Sequence, residues 1–169
     1  MIVLPQLRAL CLAVISMTSA FHAAALEPAT GKVILTVSGK IGEKNAGNTA
    51  VFDLAMLQKL PQQTFTTKTP WDKQAVKFTG PYLRDVLAAV KAHGSTLRAS
   101  ALNDYTTTIP LNDATRFDMV LAHKMNDKAI PIRAKGPLFI VYPFDTQPEL
   151  QTTTYYERSA WQLKSIDVE

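Results

Sequence analysis

The 169-residue sequence contains little cysteine, little glycine and no long block of one charge. Its single cysteine, Cys11, lies in an apolar stretch near the N-terminus, so residues 26–169 form no disulfide and offer no thiolate ligand or cysteine nucleophile. The 7 glycines and 10 prolines follow no repeat, which excludes a fibrous sequence. The net charge of +4 is too small a surplus to indicate binding to nucleic acid or to an anionic membrane.

The first 25 residues have the three parts of a secretory signal. Arg8 supplies the positive charge, residues 9–20 form a short apolar run, and Ala23–Ala25 places small residues at a cleavage site. The run is short for a membrane span, and an uncleaved anchor is the alternative. We therefore expect export to a bacterial periplasm, cleavage after Ala25, and a domain of residues 26–169 that does not bind the membrane directly.

Composition and residue pattern together predict one globular domain. Hydrophobic residues make up 47% of the chain, and its length suits a single unit with a sizeable core. Asp53 caps a predicted helix that ends at Pro61, Pro81 opens a second one that Gly94 ends, and one helical turn is predicted at 113–117. Alternating or Val- and Ile-rich segments predict strands over 32–41, 63–69, 75–79, 96–102, 105–111, 118–124, 137–142 and 161–168. The expected fold class is α+β, a single domain of mixed β-sheets with a few short helices.

After a turn at Trp71, five segments follow one another in the order of a known family's motifs. They are FTGPYLRDVL at 78–87, NDYTTTIPL at 103–111, LAHKMNDKAIP at 121–131, GPLFIVYP at 136–143 and RSAWQLKSI at 158–166. In this order they resemble the molybdopterin-binding fold of sulfite oxidase and its bacterial relatives. The resemblance covers about residues 32–168 and implies that family's fold.

Two departures from the family's pattern concern its metal chemistry. The enzymes carry a metal-ligating cysteine a few residues before the tryptophan, where this sequence has Thr67. A hydroxyl is a much poorer ligand than a thiolate for a soft, redox-active metal. The arginine of the family's buried-strand motif is replaced by Phe139. These changes predict that the molybdenum chemistry is lost and that a pterin-sized pocket remains.

Small, secreted, cysteine-free members of this fold are similar to PruR-type periplasmic pterin-binding regulators. That resemblance implies a reduced pterin, tetrahydropterin- or folate-like, as the ligand, and no molybdenum cofactor. It also implies a partner, the periplasmic domain of a membrane sensor or of an enzyme that makes or degrades cyclic di-GMP, and hence a role in biofilm control. Under this interpretation the chain is a regulator and not an enzyme. The alternative is an oxidoreductase or redox-complex component that binds the molybdopterin cofactor without a protein thiolate.

The ring edge of a pterin carries N–H and amino groups that pair with a carboxylate. Asp104, between two predicted strands and beside Tyr105, is the first candidate, and an Asn-Asp turn is its structural alternative. Asp72 and Asp145 are the further candidates.

The faces of the ring need aromatic or guanidinium partners. Trp71, in a loop after a proline, either stacks on the ligand or fills the core. Tyr105 and the pair Tyr155 and Tyr156 are further stacking candidates. If the pair lies in a strand, at most one of its side chains faces the pocket. Trp161 is expected to pack in the core.

Basic residues supply another group of candidates. Arg133 and Lys135 lie in a loop before the buried strand and either bind the ligand or remain solvated. Arg158 follows an acidic residue, and an ion pair is the alternative to ligand binding. Thr67 and Lys68 lie on the segment that would carry the cysteine, so we expect them near the pocket mouth.

The histidines give no metal signature. Within residues 26–169 they are His93, expected on the surface after the second helix, and His123, expected to be half-buried in a strand. Two separated histidines without cysteine do not form a zinc or copper site. No Gly-rich phosphate loop or serine-nucleophile motif is present either. The sequence therefore predicts no metal site and no catalytic residue.

Overall fold

Eleven short strands and four short helices make up the part of the chain that the computed structural model describes, residues 26–169. In chain order the elements are β1 (Val33–Gly39), β2 (Ala50–Asp53), α1 (Leu54–Lys59), β3 (Gln62–Thr67), β4 (Val76–Pro81), α2 (Leu83–Ala89), β5 (Thr96–Ala101), β6 (Thr106–Pro110), α3 (Asp113–Arg116), β7 (Val120–Ala122), β8 (Lys124–Met125), β9 (Lys128–Ala129), β10 (Phe139–Val141), a 3-10 turn (Pro148–Leu150), α4 (Thr153–Arg158) and β11 (Leu163–Val168). The predicted export segment, residues 1–25, lies outside the described residues. No helix within residues 26–169 is long and apolar enough to cross a membrane.

The strands form three sheets. The largest has the order β2-β1-β11-β5-β6, in which β1 and β11 are parallel and the other pairs are antiparallel. A second sheet has the order β3-β4-β8-β9, and β7 pairs with β10 in a third. Mixed sheets with a few short helices in one domain confirm the α+β class.

The core is built from the alternation and periodicity that the sequence displays. Leu35 and Val37 alternate along β1 and are fully buried, as are Leu97 and Ala99 on β5. Successive strand residues point to opposite faces, so these side chains share the inner face of the largest sheet. Burying a side chain of Leu or Val size contributes about 1.5–3 kcal/mol, so this face stabilises the sheet.

The first predicted helix is confirmed. The Asp53 side chain accepts hydrogen bonds from the backbone N–H groups of Met56 at 2.8 Å and of Gly31 at 2.7 Å. These backbone donors stabilise the charged carboxylate and lower the pKa of Asp53. The cap fixes the point at which the chain turns from β2 into α1.

The second predicted helix exists, but both of its predicted ends are wrong. Pro81 is the last residue of β4, where it pairs with Gln62, and the helix begins at Leu83. The helix ends at Ala89, because Lys91 adopts a left-handed conformation with φ of +50°. The apolar residues at helical spacing, Leu83, Val86 and Leu87, are buried as expected.

The sheet of β3 and β4 approaches β7 closely at Gly80. A Cβ atom on Gly80 would lie 2.0 Å from the carbonyl oxygen of Leu121, so only glycine fits at this position of β4. The contact sets the distance between β4 and β7.

Candidate functional site

A largely apolar cavity of about 230 Å³ opens where the loop after β3, the β5–β6 turn, helix α4 and the entry to β11 meet. We call it the aromatic pocket. Its lining residues are Trp71, Asn103, Tyr105, Tyr156, Glu157, Ser159 and Trp161. Three of the predicted ligand-binding residues, Trp71, Tyr105 and Tyr156, are thereby brought together.

Trp71 forms the wall between the pocket and the core. Its ring centroid lies 5.2 Å from that of Trp161 and 6.0 Å from that of Tyr156, both in edge-on geometry. Behind it, the rings of Phe139 and Phe144 lie at 5.9 and 6.2 Å. Aromatic pairs at these distances favour edge-to-face packing, which fixes the indole orientation. The half-buried Trp71 therefore packs on the core and lines the pocket at the same time.

Tyr105 bridges the β5–β6 turn and helix α4. Its hydroxyl donates a hydrogen bond to the backbone oxygen of Glu157 at 2.6 Å. The turn itself depends on Asp104, whose φ is +65°, and on the Asn103 side chain, which accepts from the Tyr105 N–H at 3.2 Å. Asn and Asp tolerate this left-handed turn better than most residues. Tyr105 is thus held at the rim of the pocket.

The side chains of Tyr155 and Tyr156 point in different directions, as expected, but for a different reason. They lie on helix α4 and not on a strand, so neighbouring side chains diverge by about 100°. Tyr156 lines the pocket with its ring 5.1 Å from that of Phe144. Tyr155 packs away from the pocket, 5.3 Å from the rings of Phe117 and Tyr142.

Arg158 belongs to a buried network and is not a lining residue of the aromatic pocket. Its Nη1 donates to the Asp113 carboxylate at 2.9 Å, and the Tyr142 hydroxyl donates to the same oxygen at 2.8 Å. Burial and the Asp113 carboxylate raise the pKa of Tyr142 above its ordinary value, so the phenol stays a donor. Arg158 therefore forms an ion pair, the alternative that the sequence left open, and anchors the end of α4 to α3.

Asp104, the first candidate carboxylate, lies outside the aromatic pocket. Its side chain is 92% exposed and faces Lys164, with Nζ and Oδ1 3.3 Å apart. The turn alternative describes its position, because its left-handed backbone connects β5 to β6.

The reserve carboxylate Asp72 lies beside Trp71 and is paired. Lys135 donates to its Oδ2 at 2.6 Å, and the Thr69 hydroxyl donates to the same atom at 2.8 Å. The Lys135 ammonium lies 6.0 Å from the Trp71 ring centroid, within reach of a cation–π contact. Arg133, on the same loop as Lys135, is exposed.

Thr67 stands where the resemblance places the enzymes' metal-ligating cysteine, and its surroundings test whether a metal fits. The side chain is 1% exposed, and its hydroxyl accepts a hydrogen bond from the Asp145 N–H at 3.1 Å. The Asp145 carboxylate in turn accepts from the backbone N–H of Lys68 at 2.9 Å, while the Lys68 side chain is exposed. The hydroxyl thus links the end of β3 to the loop after β10. A molybdenum centre held by a protein thiolate does not fit these residues, because residues 26–169 contain no cysteine.

The two histidines of the described chain lie apart from the pocket. His93 is exposed, as expected. His123 is more deeply buried than expected, at 4% exposure, and its Nε2 lies 2.8 Å from the Gln62 side-chain oxygen. Burial lowers its pKa. Within residues 26–169, no three His, Cys, Asp or Glu side chains cluster as a metal site would require.

Four lining residues were not among the sequence candidates: Asn103, Glu157, Ser159 and Trp161. Trp161 was expected in the core, and it packs 6.0 Å from Phe139 while its other side faces the pocket. Ser159 is buried and donates to the backbone oxygen of Tyr155 at 2.9 Å. Glu157 reaches the pocket through its backbone oxygen, which accepts the Tyr105 hydroxyl, and no local sequence signal indicates that contact.

Comparison with known proteins identifies the family. The sequence profile of the family described as oxidoreductase molybdopterin-binding domain matches residues 35–145, which is more than half of the chain. The structure is similar to 29 chains of solved proteins, including the sulfane dehydrogenase SoxCD from Paracoccus pantotrophus, with a TM-score of 0.60 and 16% sequence identity. That match covers 79% of this chain and 37% of the SoxCD chain, so this chain spans little more than a third of that protein. At this identity the likeness shows the fold alone.

A search of curated proteins returns no match. The profile match and the shared fold both agree with the resemblance found in the sequence motifs, whereas the closer similarity to PruR-type regulators stays a prediction. The chain belongs to the sulfite-oxidase-type oxidoreductase molybdopterin-binding domain family.

Proposed function

We propose that this domain binds a small reduced pterin in the aromatic pocket and does so without a protein-ligated molybdenum centre. The observation that carries the proposal is the pocket itself, in which Trp71, Tyr105, Tyr156 and Trp161 surround a space in a family that binds molybdopterin. Stacking on aromatic faces favours flat heterocycles. The buried Thr67 hydroxyl, at the position of the family's cysteine, supports the separation of pterin binding from metal chemistry.

The size of the pocket favours a single ring system. Its volume of about 230 Å³ lies below the roughly 300–1,000 Å³ of pockets that enclose drug-sized ligands. A bicyclic ring with a short side chain suits this space better than a ring system with a long tail. In this arrangement Trp71 and Trp161 contact the ring, and the hydrogen bond from Tyr105 to α4 holds the rim closed around it.

We further propose that the bound pterin is a signal. In this role the exported domain reports ligand occupancy to the periplasmic domain of a membrane sensor or cyclic-di-GMP enzyme. The export-type segment at residues 1–25 and the resemblance to periplasmic regulators support this role. The rim of the pocket supports this role as well. Tyr105 belongs to the exposed β5–β6 turn and is hydrogen-bonded to α4, so a ligand that contacts Tyr105 contacts a surface that a partner protein can reach.

A second candidate function is an oxidoreductase or redox-complex component that holds the whole molybdopterin cofactor. The family match favours this candidate more directly than it favours a sensor, since the family's description names oxidoreductases. The match to the SoxCD chain adds the fold. Here the cofactor would need ligands other than a protein thiolate, because residues 26–169 contain no cysteine.

Analysis of the ligand that co-purifies with the protein tests both candidates. The full chain is expressed in a bacterium, purified from the periplasmic fraction and denatured; released pterin is measured by fluorescence and mass spectrometry, and molybdenum by elemental analysis. We expect a pterin without molybdenum, and its loss in Trp71→Ala but not in Tyr82→Ala, an aromatic residue outside the pocket. Molybdenum and pterin in equal amounts would establish the oxidoreductase candidate instead. Neither species, together with no tryptophan quenching by added tetrahydropterin, would contradict pterin binding.

A further inference from the structure

The hydrogen bonds of β4 show which way the backbone of its neighbour β3 faces. The Asn126 N–H donates to the Lys77 oxygen at 2.8 Å, on the side of β4 where β8 pairs. The His123 N–H donates to the Thr79 oxygen at 3.0 Å on the same side. Alternate residues of an antiparallel strand turn their backbone groups toward opposite neighbours. Phe78, which lies between Lys77 and Thr79, therefore turns its backbone groups toward β3.

The outer edge of β3 is consequently open. Phe78 pairs with Phe65, so the backbone groups of Phe65 face β4. By the same alternation, the backbone groups of Gln62, Thr64 and Thr66 point away from the sheet. Within residues 26–169, these outward N–H and C=O groups have no hydrogen-bond partner. All three residues are exposed, so another strand can reach them.

The other edge strands of four or more residues, β2 and β6, are protected. At the β2 edge, the Asn45 side chain accepts from the Val51 N–H at 2.7 Å and donates to the Val51 oxygen at 2.9 Å. The strand β6 lies against α3 and α4 and ends at Pro110, which has no N–H to donate.

The sequence of β3 contains none of the usual devices that protect a sheet edge. Its six residues, QQTFTT, include no charge and no proline, and the register with β4 has no bulge. Proteins normally use such features to prevent pairing at an exposed edge. The open stretch ends only at Lys68, whose N–H donates to the Asp145 carboxylate at 2.9 Å.

The open edge is complementary to itself. In an antiparallel pair with a twofold axis at Thr64, this residue faces Thr64 of a second copy, and Gln62 faces Thr66 of that copy. Every outward donor then meets an outward acceptor. Because β3 is uncharged, no like charges lie opposite one another within it.

We propose that β3 is a self-association edge, at which two copies of this chain pair in antiparallel fashion through residues 62–66. The two four-stranded sheets then join into one continuous sheet. A single strand pair buries less than the roughly 1,200–2,000 Å² of stable interfaces, so the dimer is expected to be weak, with a Kd in the micromolar range or above. This inference does not depend on pterin binding.

Sedimentation equilibrium of the protein purified from the periplasmic fraction, from about 1 µM to about 1 mM, measures the association. Amide hydrogen exchange at low and high protein concentration shows where the copies meet. We expect a reversible monomer–dimer equilibrium, with slower exchange at Gln62, Thr64 and Thr66 where the dimer is populated. A monomer over the whole range would overturn the proposal, even if the edge takes up a strand of another protein. A dimer without protection of these amides would overturn it as well, because another surface would then form the contact.

Charge substitutions at Thr64 test the register, since the two copies of this residue face each other. Thr64→Lys and Thr64→Glu should each raise the Kd of the dimer by about fivefold or more, because like charges then lie opposite one another. An equimolar mixture of the two variants should associate more tightly than either variant alone. Thr108→Lys and Thr108→Glu, at an exposed threonine of β6, are the matched controls and should leave the Kd unchanged. Equal association of the wild-type protein and both Thr64 variants, or a mixture that associates no better than its components, would overturn the pairing.

Discussion

Removing the Asp113 carboxylate should destabilise the fold through the network that anchors α4. Asp113→Ala leaves the fully buried Tyr142 hydroxyl without its acceptor, which costs about 1–3 kcal/mol. It also leaves the Arg158 guanidinium unpaired, but this side chain is 24% exposed and water can reach it. The total therefore falls at the lower end of the ~3–5 kcal/mol typical for breaking a buried pair, about 3 kcal/mol.

Urea unfolding monitored by tryptophan fluorescence measures this loss. With a typical slope of about 1–3 kcal/mol per molar urea, the midpoint of Asp113→Ala should fall by roughly 1–3 M. Asp118→Ala is the control, because Asp118 is 64% exposed in its pair with Arg84 and should cost less than about 1 kcal/mol.

A second substitution separates the cost of the unpaired Tyr142 hydroxyl from other causes of destabilisation. Tyr142→Phe in the Asp113→Ala background removes the unsatisfied O–H and should recover about 1 kcal/mol, although the same change alone in the wild-type protein is destabilising. A loss below about 1 kcal/mol in Asp113→Ala, or strict additivity of the two substitutions, would refute this account of the network. Asp113→Ala should also weaken pterin binding, since α4 carries Tyr156.

Three further predictions concern other parts of the fold. Trp71→Ala should lower the free energy of unfolding by about 3 kcal/mol and abolish the quenching of tryptophan fluorescence by added pterin. Trp71→Phe should retain part of the stability and part of the quenching. Thermal melts measure the first quantity and pterin titrations the second. Burial lowers the pKa of His123, so the unfolded state binds more protons than the folded state, and the free energy of unfolding should fall as the pH drops below the ordinary value of about 6.5. Urea midpoints measured at several pH values should show this decrease in the wild-type protein and in His93→Gln. The decrease should disappear in His123→Gln. Gly80→Ala should cost more than about 2 kcal/mol in a urea titration because its Cβ would meet Leu121, and Gly47→Asn, in open space, should be tolerated.

Much of the fold could be predicted because buried apolar residues recur in the sequence with the period of the strand or helix that carries them. The alternation in β1 and the apolar spacing in α2 follow from the side-chain periods of strands and helices. The ends of α2 were harder to predict from the sequence, because Pro81 is compatible with both a helix start and a strand end. The left-handed turn at Lys91 has no sequence signal comparable to a glycine.

Helix α4 shows why the rest of the fold could not be predicted. Its sequence, TTYYER, is rich in Thr and Tyr, which individually favour strands. Tertiary contacts decide the outcome, because only a helix places Tyr155 against Phe117 and directs Arg158 toward Asp113. Local propensity contains no information about those distant partners.

The pocket was predictable in its aromatic part and not in its polar part. Trp71 and Tyr105 could be chosen because large aromatic residues in loops and at strand ends are few in this chain. Asp104 was chosen as the carboxylate, yet its side chain lies outside the pocket and is 92% exposed. The polar lining depends on the helical state of α4 and on the left-handed backbone at Asp104, neither of which the sequence pattern indicated.

The contrast between Thr67 and the aromatic pocket shows why family membership and activity need separate arguments. A fold is maintained by many contacts, and the profile match over residues 35–145 reflects that whole set. Thiolate coordination of a metal depends on one side chain, and here that position carries a hydroxyl that accepts a hydrogen bond from the Asp145 N–H. Replacing Thr67 by cysteine would therefore exchange a good structural acceptor for a weak one. The Thr67 position contributes to the packing of β3, whereas the pocket in which we propose that the ligand binds is lined by residues of α4 and the β5–β6 turn.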